Sequence, residues 1–263
     1  MSTECYLTDL LERKAAISDY LSRIGSKRPV VQCITNIVTV NDCANALLAI
    51  GASPTMAHHP QEMEDFAAIC DALVCNLGAT ESLEAMGWAI ELAAERRHPV
   101  VLDPVGSAGS PFRREQCMAL LHKGNITCIR GNAAEIRALA LHANTGRGVD
   151  DFEDRPSAEW VSLLAAETDT IVIASGETNY VGDGKQVLSV TGGSPMMGRI
   201  TGSGCMLSAL LGAFLSVECS LQSAAVCCAM MKDCGEQAQK WTREAARGTG
   251  TFHIALLDAL AVQ

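Results

Sequence analysis

The chain has 263 residues, 48% of them hydrophobic but only 4% aromatic, and its 30 acidic against 20 basic side chains give a formal charge of −10. That length and apolar content suit one large α/β core or two small ones. Basic residues cluster no further than pairs such as Arg96-Arg97 and Arg113-Arg114, which argues against a general nucleic-acid binder, and an acidic chain must hold any anion locally, through backbone N–H groups or a metal ion.

In chain order, Leu7, Leu10, Leu11, Ala15, Ile17, Leu21 and Ile24 recur at helical spacing and predict an amphipathic opening helix. Val30 to Ile34 reads as a first strand, and Val40 to Ile50 as a helix stopped by Gly51. Ala72 to Cys75 is a short apolar strand followed by a helix over Ser82 to Arg96. Three more runs are short, continuous and largely β-branched: Pro99 to Leu102 ending at Asp103, Ile126 to Ile129 ending at Arg130, and Thr170 to Ala174 ending at Ser175. Such runs alternating with helices predict parallel strands buried on both faces, in an α/β/α arrangement. Tyr180 to Val190 reads as a hairpin, and the chain is mainly helical from Gly204. No repeat or linker divides the chain, so one domain over 1–263 is expected; the polar stretch Asn144 to Pro156 is its weakest point. The apolar run Gly204 to Val217 is too short to cross a bilayer and predicts a buried helix.

Twelve cysteines without a Cys-x-x-Cys pair, several in apolar runs, predict reduced, mostly buried thiols in a cytoplasmic protein rather than a disulfide scaffold or a zinc site. His58-His59 reads as solvated loop surface.

In an open parallel sheet, ligands sit beyond the carboxyl ends of the strands. Asn36, Asp103, Arg130 and Ser175 fall there. Thr201-Gly202-Ser203-Gly204-Cys205 opens the apolar helix with two glycines that let the backbone approach a ligand, and the free N–H groups of a helix start favour an anion such as a phosphoryl group. Asn132-Ala133-Ala134-Glu135 supports two readings: a carboxylate for hydrated Mg²⁺ or a capping box at a helix start. Asp103-Pro104 likewise reads either as a carboxylate held for the same ion or as a turn. Met56 would line an apolar pocket or fill a gap in the core. Neither the P-loop motif nor the dinucleotide glycine fingerprint is present.

These blocks, in this order, resemble the hydroxyethylthiazole kinase family of the ribokinase-like superfamily. The resemblance runs from Ile34-Thr35-Asn36 and Gly51-Ala52-Ser53-Pro54-Thr55-Met56, through Val101-Leu102-Asp103-Pro104-Val105-Gly106 and Arg130-Gly131-Asn132-Ala133-Ala134-Glu135, to Ile200-Thr201-Gly202-Ser203-Gly204-Cys205 and Gly250-Thr251-Phe252. Most ribokinase-like enzymes carry aspartate as a base at the last position of the glycine motif; the thiazole kinases look like the branch with cysteine, here Cys205. Ser203 and Ser175 stand where threonine is usual, and both keep a hydroxyl.

The resemblance implies a ribokinase-like three-layer α/β/α fold with a mainly parallel sheet. It implies ATP-dependent phosphorylation of the primary alcohol of 4-methyl-5-(2-hydroxyethyl)thiazole, in thiamin salvage. Asn36, Met56 and Gly202 would contact the alcohol, Arg130 and Ser175 ATP, and Asp103 and Glu135 Mg²⁺. Gly202, Ser203, Gly204 and Cys205 would form the anion hole, with Cys205 as the catalytic side chain. A thiol at a helix N-terminus is expected to have a lowered pKa. The family also implies a homotrimer with sites between subunits. The competing readings are a kinase of another small vitamin-precursor alcohol, a non-catalytic nucleotide-binding regulator, and a nicotinamide-dependent oxidoreductase; the last lacks its glycine fingerprint.

Overall fold

The structure, a computed structural model, describes residues 3–5, 9–142 and 156–263. Its strands are β1 (Thr3–Cys5), β2 (Val30–Ile34), β3 (Ser53–Thr55), β4 (Ala72–Asn76), β5 (Val100–Asp103), β6 (Cys128–Asn132), β7 (Ile171–Ser175), β8 (Asn179–Gly182) and β9 (Val187–Val190). They form one sheet in the order β1-β9-β8-β7-β6-β5-β4-β2-β3. The run from β3 to β7 is parallel throughout, whereas β7-β8 and β8-β9 are antiparallel and β1 joins β9 in parallel.

Ten helices lie among the described residues: α1 (Leu10–Lys27), α2 (Val40–Ala49), α3 (Met63–Ile69), α4 (Leu83–Arg96), α5 (Pro111–Leu121), α6 (Ala133–Ala140), α7 (Ala158–Thr168), α8 (Ser203–Val217), α9 (Leu221–Glu244) and α10 (Thr249–Ala261). They split between the two faces of the sheet. Successive strand side chains point to opposite faces, and the cores follow that alternation. Val31, Cys33, Val74, Val101, Cys128 and Ile173 join one core with Ile24 of α1, Leu47 of α2, Phe214 of α8 and Leu256 of α10. Ile34, Leu73, Cys75, Leu102, Ile129 and Val172 join the other with Ile90 of α4, Leu120 of α5, Ile136 of α6 and Leu164 of α7. This is the three-layer α/β/α arrangement with a mainly parallel sheet that the strand pattern predicts.

The differences from expectation have local causes. The opening helix starts at Leu10 because the Asp9 side chain accepts from Leu11 N at 2.9 Å and Glu12 N at 3.0 Å, which fixes the N-cap. Strand β3 carries no readable pattern because it has three residues, one of them Pro54, which an edge strand tolerates. Apolar spacing alone does not give the bounds of helices α3, α5 and α7. For α5 a signal was present: Ser110 caps it by accepting from Arg113 N at 3.3 Å, and Pro111 occupies its first turn. The Asn144 to Pro156 stretch lies, up to residue 155, outside the described residues.

The eleven cysteines from Cys33 to Cys234 are free thiols; nine are buried, Cys205 is half-buried and Cys219 is exposed. Among the described residues no helix is long and apolar enough to cross a membrane. Helix α8 is buried along most of its length and lies over the middle of the sheet. Gly212 permits that approach: a Cβ there would meet Val31 Cγ1 and Val74 Cγ2, each at 2.9 Å. On α9, the buried Lys232 donates to the carbonyls of Gly176 at 2.7 Å and Glu177 at 2.6 Å, tying down the chain just after β7.

Two outcomes follow from this packing. Gly212→Val should lower the urea midpoint, with an overpacking cost of about 1–3 kcal/mol; an unchanged midpoint would mean that α8 can lift from the sheet freely. Burial pushes Lys232 down to about 8 from 10.5. The unfolded chain therefore binds more protons there between pH 8 and 10.5, so the penalty is fully present below about pH 8 and is relieved as pH rises through that window. Urea titrations of the wild type and Lys232→Met should show the wild type gaining on the variant by on the order of 1–2 kcal/mol from pH 8 to 10. A pH-independent difference would contradict the depressed value.

Candidate active site

Register places a row of polar residues at the carboxyl edge of the sheet. Asn76 of β4 stands opposite Asp103 of β5, and Asn132 of β6 stands opposite Ser175 of β7. Asn36 lies two residues past β2, and the first turn of α8 rests over the same edge. Between them opens a cleft of about 650 Å³. Its walls include Asn36, Asp103, Arg130, Glu135 and the whole Thr201–Cys205 motif.

Asp103 has no solvent exposure. Its Oδ2 accepts from Ser208 Oγ at 2.7 Å and Asn76 Nδ2 at 3.1 Å, with Arg130 Nη1 at 3.7 Å, while its buried Oδ1 has no hydrogen-bond partner among the described residues. Burial raises its pKa, and Arg130, Ser208 and Asn76 oppose that rise. Glu135 is also buried, with Oε1 accepting from Gly106 N and Oε2 from Asn132 N, both at 2.8 Å. Asn132 Oδ1 in turn accepts from Glu135 N at 2.8 Å, so the capping box exists in full at the start of α6. Burial first and the Asp103 charge second push Glu135 to about 7. Among the described residues no three His, Cys, Asp or Glu side chains cluster as a metal cage.

The glycines of the motif have separate tasks. Gly202 adopts φ +85°, a left-handed conformation that glycine enters without strain, and caps α8. Its carbonyl takes the first helical bond, from Met206 N at 2.8 Å. The N–H groups of Ser203, Gly204 and Cys205 precede that bond and face the cleft end of the helix. Gly204 makes room for a guanidinium: a Cβ there would collide with Arg130 Nη1 and lie 2.8 Å from Nη2. The Ser203 hydroxyl turns away and donates to Met197 O at 3.0 Å.

Cys205 Sγ accepts from Asn76 Nδ2 at 3.3 Å and Asn36 Nδ2 at 3.5 Å. The expectation of a lowered thiol pKa does not hold. Burial raises it, the Asp103 carboxylate adds to that, and Arg130 with the polar groups of Thr39 and Asn36 does not offset the two.

Two expected site residues lie outside the cleft wall. Ser175 stands behind Arg130, accepting from Nη2 at 2.5 Å and donating to Gly131 O at 3.1 Å, so it orients the guanidinium. Met56 is half-buried just past the edge strand β3 and packs on the core. His58 and His59 are exposed, and the His59 ring accepts from Gln61 N at 3.3 Å at the cap of a short 3₁₀ turn. Sequence reasoning missed Asn76 and Ser208 as site residues. Asn76 ends a strand one position beyond the apolar run that was read, and that position was the available signal. Thr39, Arg113 and Arg199, which line the cleft, had none.

The model of the hydroxyethylthiazole kinase family matches residues 21–263. A hydroxyethylthiazole kinase from Methanobrevibacter smithii is 38% identical over 260 residues, covering 93% of this chain and 91% of that protein. The solved hydroxyethylthiazole kinase of Pyrococcus horikoshii OT3 superposes with a TM-score of 0.82 at 35% identity, over 94% of this chain and 93% of that one. A ribokinase-like superfamily protein of Enterococcus faecalis V583 shares the fold at 12% identity, with a TM-score of 0.62 over 94% of this chain and 93% of that one. The fold is therefore ribokinase-like, and the chain belongs to the hydroxyethylthiazole kinase family.

Proposed function

We propose that the protein transfers the γ-phosphoryl group of ATP to the primary alcohol of 4-methyl-5-(2-hydroxyethyl)thiazole, with residues 1–263 as one kinase domain. The observation that carries this reading is the convergence of the α8 N-terminus, Arg130 and two buried carboxylates on one cleft of an otherwise acidic protein.

The alcohol oxygen bonds to the γ-phosphorus while the bond from phosphorus to the bridging oxygen breaks, ADP leaves, and the alcohol's proton is released. Such transfer asks the protein mainly for positioning and charge stabilisation. The N–H groups of Gly202, Ser203, Gly204 and Cys205 form the anion hole, and each preorganised donor is worth about 3–4 kcal/mol in a transition state. Arg130, held by Ser175, meets the phosphates of ATP. Asn36 and Gly202 border the alcohol. Met56, outside the cleft wall, would border the alcohol if a second subunit brought it to the cleft. That fits a homotrimer, and exposed Ile37 and Val38, 85% and 66% accessible beside the cleft mouth, are the surface such an assembly would cover. A cytoplasmic location accords with the free thiols.

The residues fit Mg²⁺. Among the described residues, Asp103 offers an unpartnered buried oxygen, and each Glu135 oxygen accepts one N–H and so keeps capacity for a water of the hydrated ion. When bound, the ion supplies charge neutralisation on the phosphates. The Cys205 thiol stays protonated at neutral pH because its pKa is raised. The alcohol's proton therefore leaves late, and Cys205 contributes its N–H and its shape more than basicity.

Incubation with Mg-ATP and a panel of vitamin-precursor alcohols should yield the phosphorylated thiazole and ADP; phosphorylation of a different alcohol alone would overturn the substrate. Glu135→Gln should raise the Mg²⁺ concentration for half-maximal rate about 10–100-fold. Gln cannot accept both N–H bonds, so stability should also fall by about 1–3 kcal/mol. A stability loss with an unchanged Mg²⁺ requirement would assign Glu135 to capping only. Cys205→Asp should stay active at or above the native rate, and Cys205→Ala should lose no more than about 10²-fold in turnover while binding both substrates. A Cys205→Asp enzyme that folds and binds both substrates yet is inert would remove this position from the proton path.

A further inference from the structure

Asn76 is 1% exposed, lies at the end of a central strand, and touches both Asp103 and Cys205. Its orientation is fixed. Oδ1 accepts from Gly78 N at 2.8 Å and from Asn36 Nδ2 at 3.2 Å. Nδ2 therefore faces Asp103 Oδ2 at 3.1 Å and Cys205 Sγ at 3.3 Å, one hydrogen to each. A flipped amide would set an oxygen against a carboxylate and lose the Gly78 bond. The second hydrogen of Asn36 Nδ2 reaches the same sulfur at 3.5 Å. Asn36 Oδ1 is taken by Val38 N at 3.1 Å, so that amide too is locked. Space is also withheld: a Cβ at Gly78 would come within 2.7 Å of Asn76 Oδ1 and 2.8 Å of Asn36 Cβ.

We propose that Asn76, backed by Asn36, is a positioning residue for phosphoryl transfer: it holds the side chain at 205 as a hydrogen-bond acceptor and fixes Asp103 with its second oxygen free. A neutral thiol is a weak acceptor, so two amide donors on one sulfur are matched to an anionic group, either the thiolate or the aspartate found at this position elsewhere in the superfamily. Both amides approach the sulfur from the sheet edge, so its acceptor side faces that edge. With Ser208 also on Asp103 Oδ2, the Asn76 bond fixes the carboxylate's rotation, which leaves Oδ1 as the unpartnered atom. The proposal rests on the kinase reading for its consequence in turnover but not for the geometry of the sulfur, and the experiment separates the two.

Asn76→Asp keeps the shape and the Gly78 bond but replaces the donor with an acceptor, and Asn76→Leu removes the amide. Iodoacetamide labelling at one pH, read by peptide mass spectrometry with exposed Cys219 as internal reference, should show Cys205 alkylated about tenfold more slowly in Asn76→Asp and more slowly in Asn76→Leu, because a donor to the thiolate is gone. Loosened packing would speed labelling instead, so equal or faster labelling of Cys205 in both variants overturns the proposal. In the kinase assay kcat should fall about 10²-fold, as for a small misplacement of reacting groups, with KM for ATP and for the alcohol within about threefold of wild type. Retained kcat, or a loss confined to KM, also overturns it. If Asn76→Asp does not fold, Asn76→Leu carries both measurements. A wild type that phosphorylates no thiazole would sink the kinase reading alone, since the labelling result still decides whether Asn76 controls the sulfur.

Discussion

A carboxylate with no solvent exposure, Asp103, is the constraint around which the working edge of this protein is arranged. Taking such a group out of water costs several kcal/mol even after relaxation, and the fold answers with a hydroxyl, an amide and a guanidinium on one oxygen. Each partner comes from a different element: Ser208 from α8, Asn76 from β4 and Arg130 from β6. Satisfying one buried charge thus fixes where the first turns of α8 sit relative to three strand ends. The free N–H groups at its N-terminus are aimed by the same bonds.

Arg130 shows how the acidic chain places a positive charge beside the cleft. Its guanidinium lies between Asp103 and Ser175 and passes under the α8 turn only because residue 204 lacks a side chain. The glycine motif therefore does two things that a motif reading merges. Gly202 bends the backbone, and Gly204 admits a cation to the helix N-terminus. Serine at 175 serves this arrangement as threonine would, because only the hydroxyl reaches Arg130.

Much of this was legible in the sequence, for definable reasons. The strands β2, β4, β5, β6 and β7 are buried on both faces, so they read as continuous apolar runs whose polar ends mark the site directly. That is why Asp103, Arg130 and Asn36 were visible. Strands β1 and β3 are three-residue edges with no such pattern. Asn76 ends an apolar run too, but its role comes from register with Asp103, a relation between strands that no single segment contains. The direction of the Cys205 shift was misread for a related reason. The helix N-terminus is a local feature, whereas burial and the Asp103 charge are tertiary ones, and in this cleft the tertiary effects are the larger.

Of the two readings of Asn132-Ala133-Ala134-Glu135, the geometry shows the cap in full, and Glu135 does more than cap. A capping box needs one carboxylate oxygen, but Glu135 uses its second on Gly106 N, which draws the loop after Asp103 toward the start of α6. A residue that served only as a cap would gain nothing from full burial beside a second carboxylate, an arrangement that holds its pKa up at about 7. The two carboxylates repel each other, and either a proton on Glu135 or a positive charge in the cleft relieves that repulsion. Arg130 supplies part of it from 3.7 Å. Arg130 leaves part of the repulsion uncompensated, and the cap is the means by which the protein holds Glu135 against it.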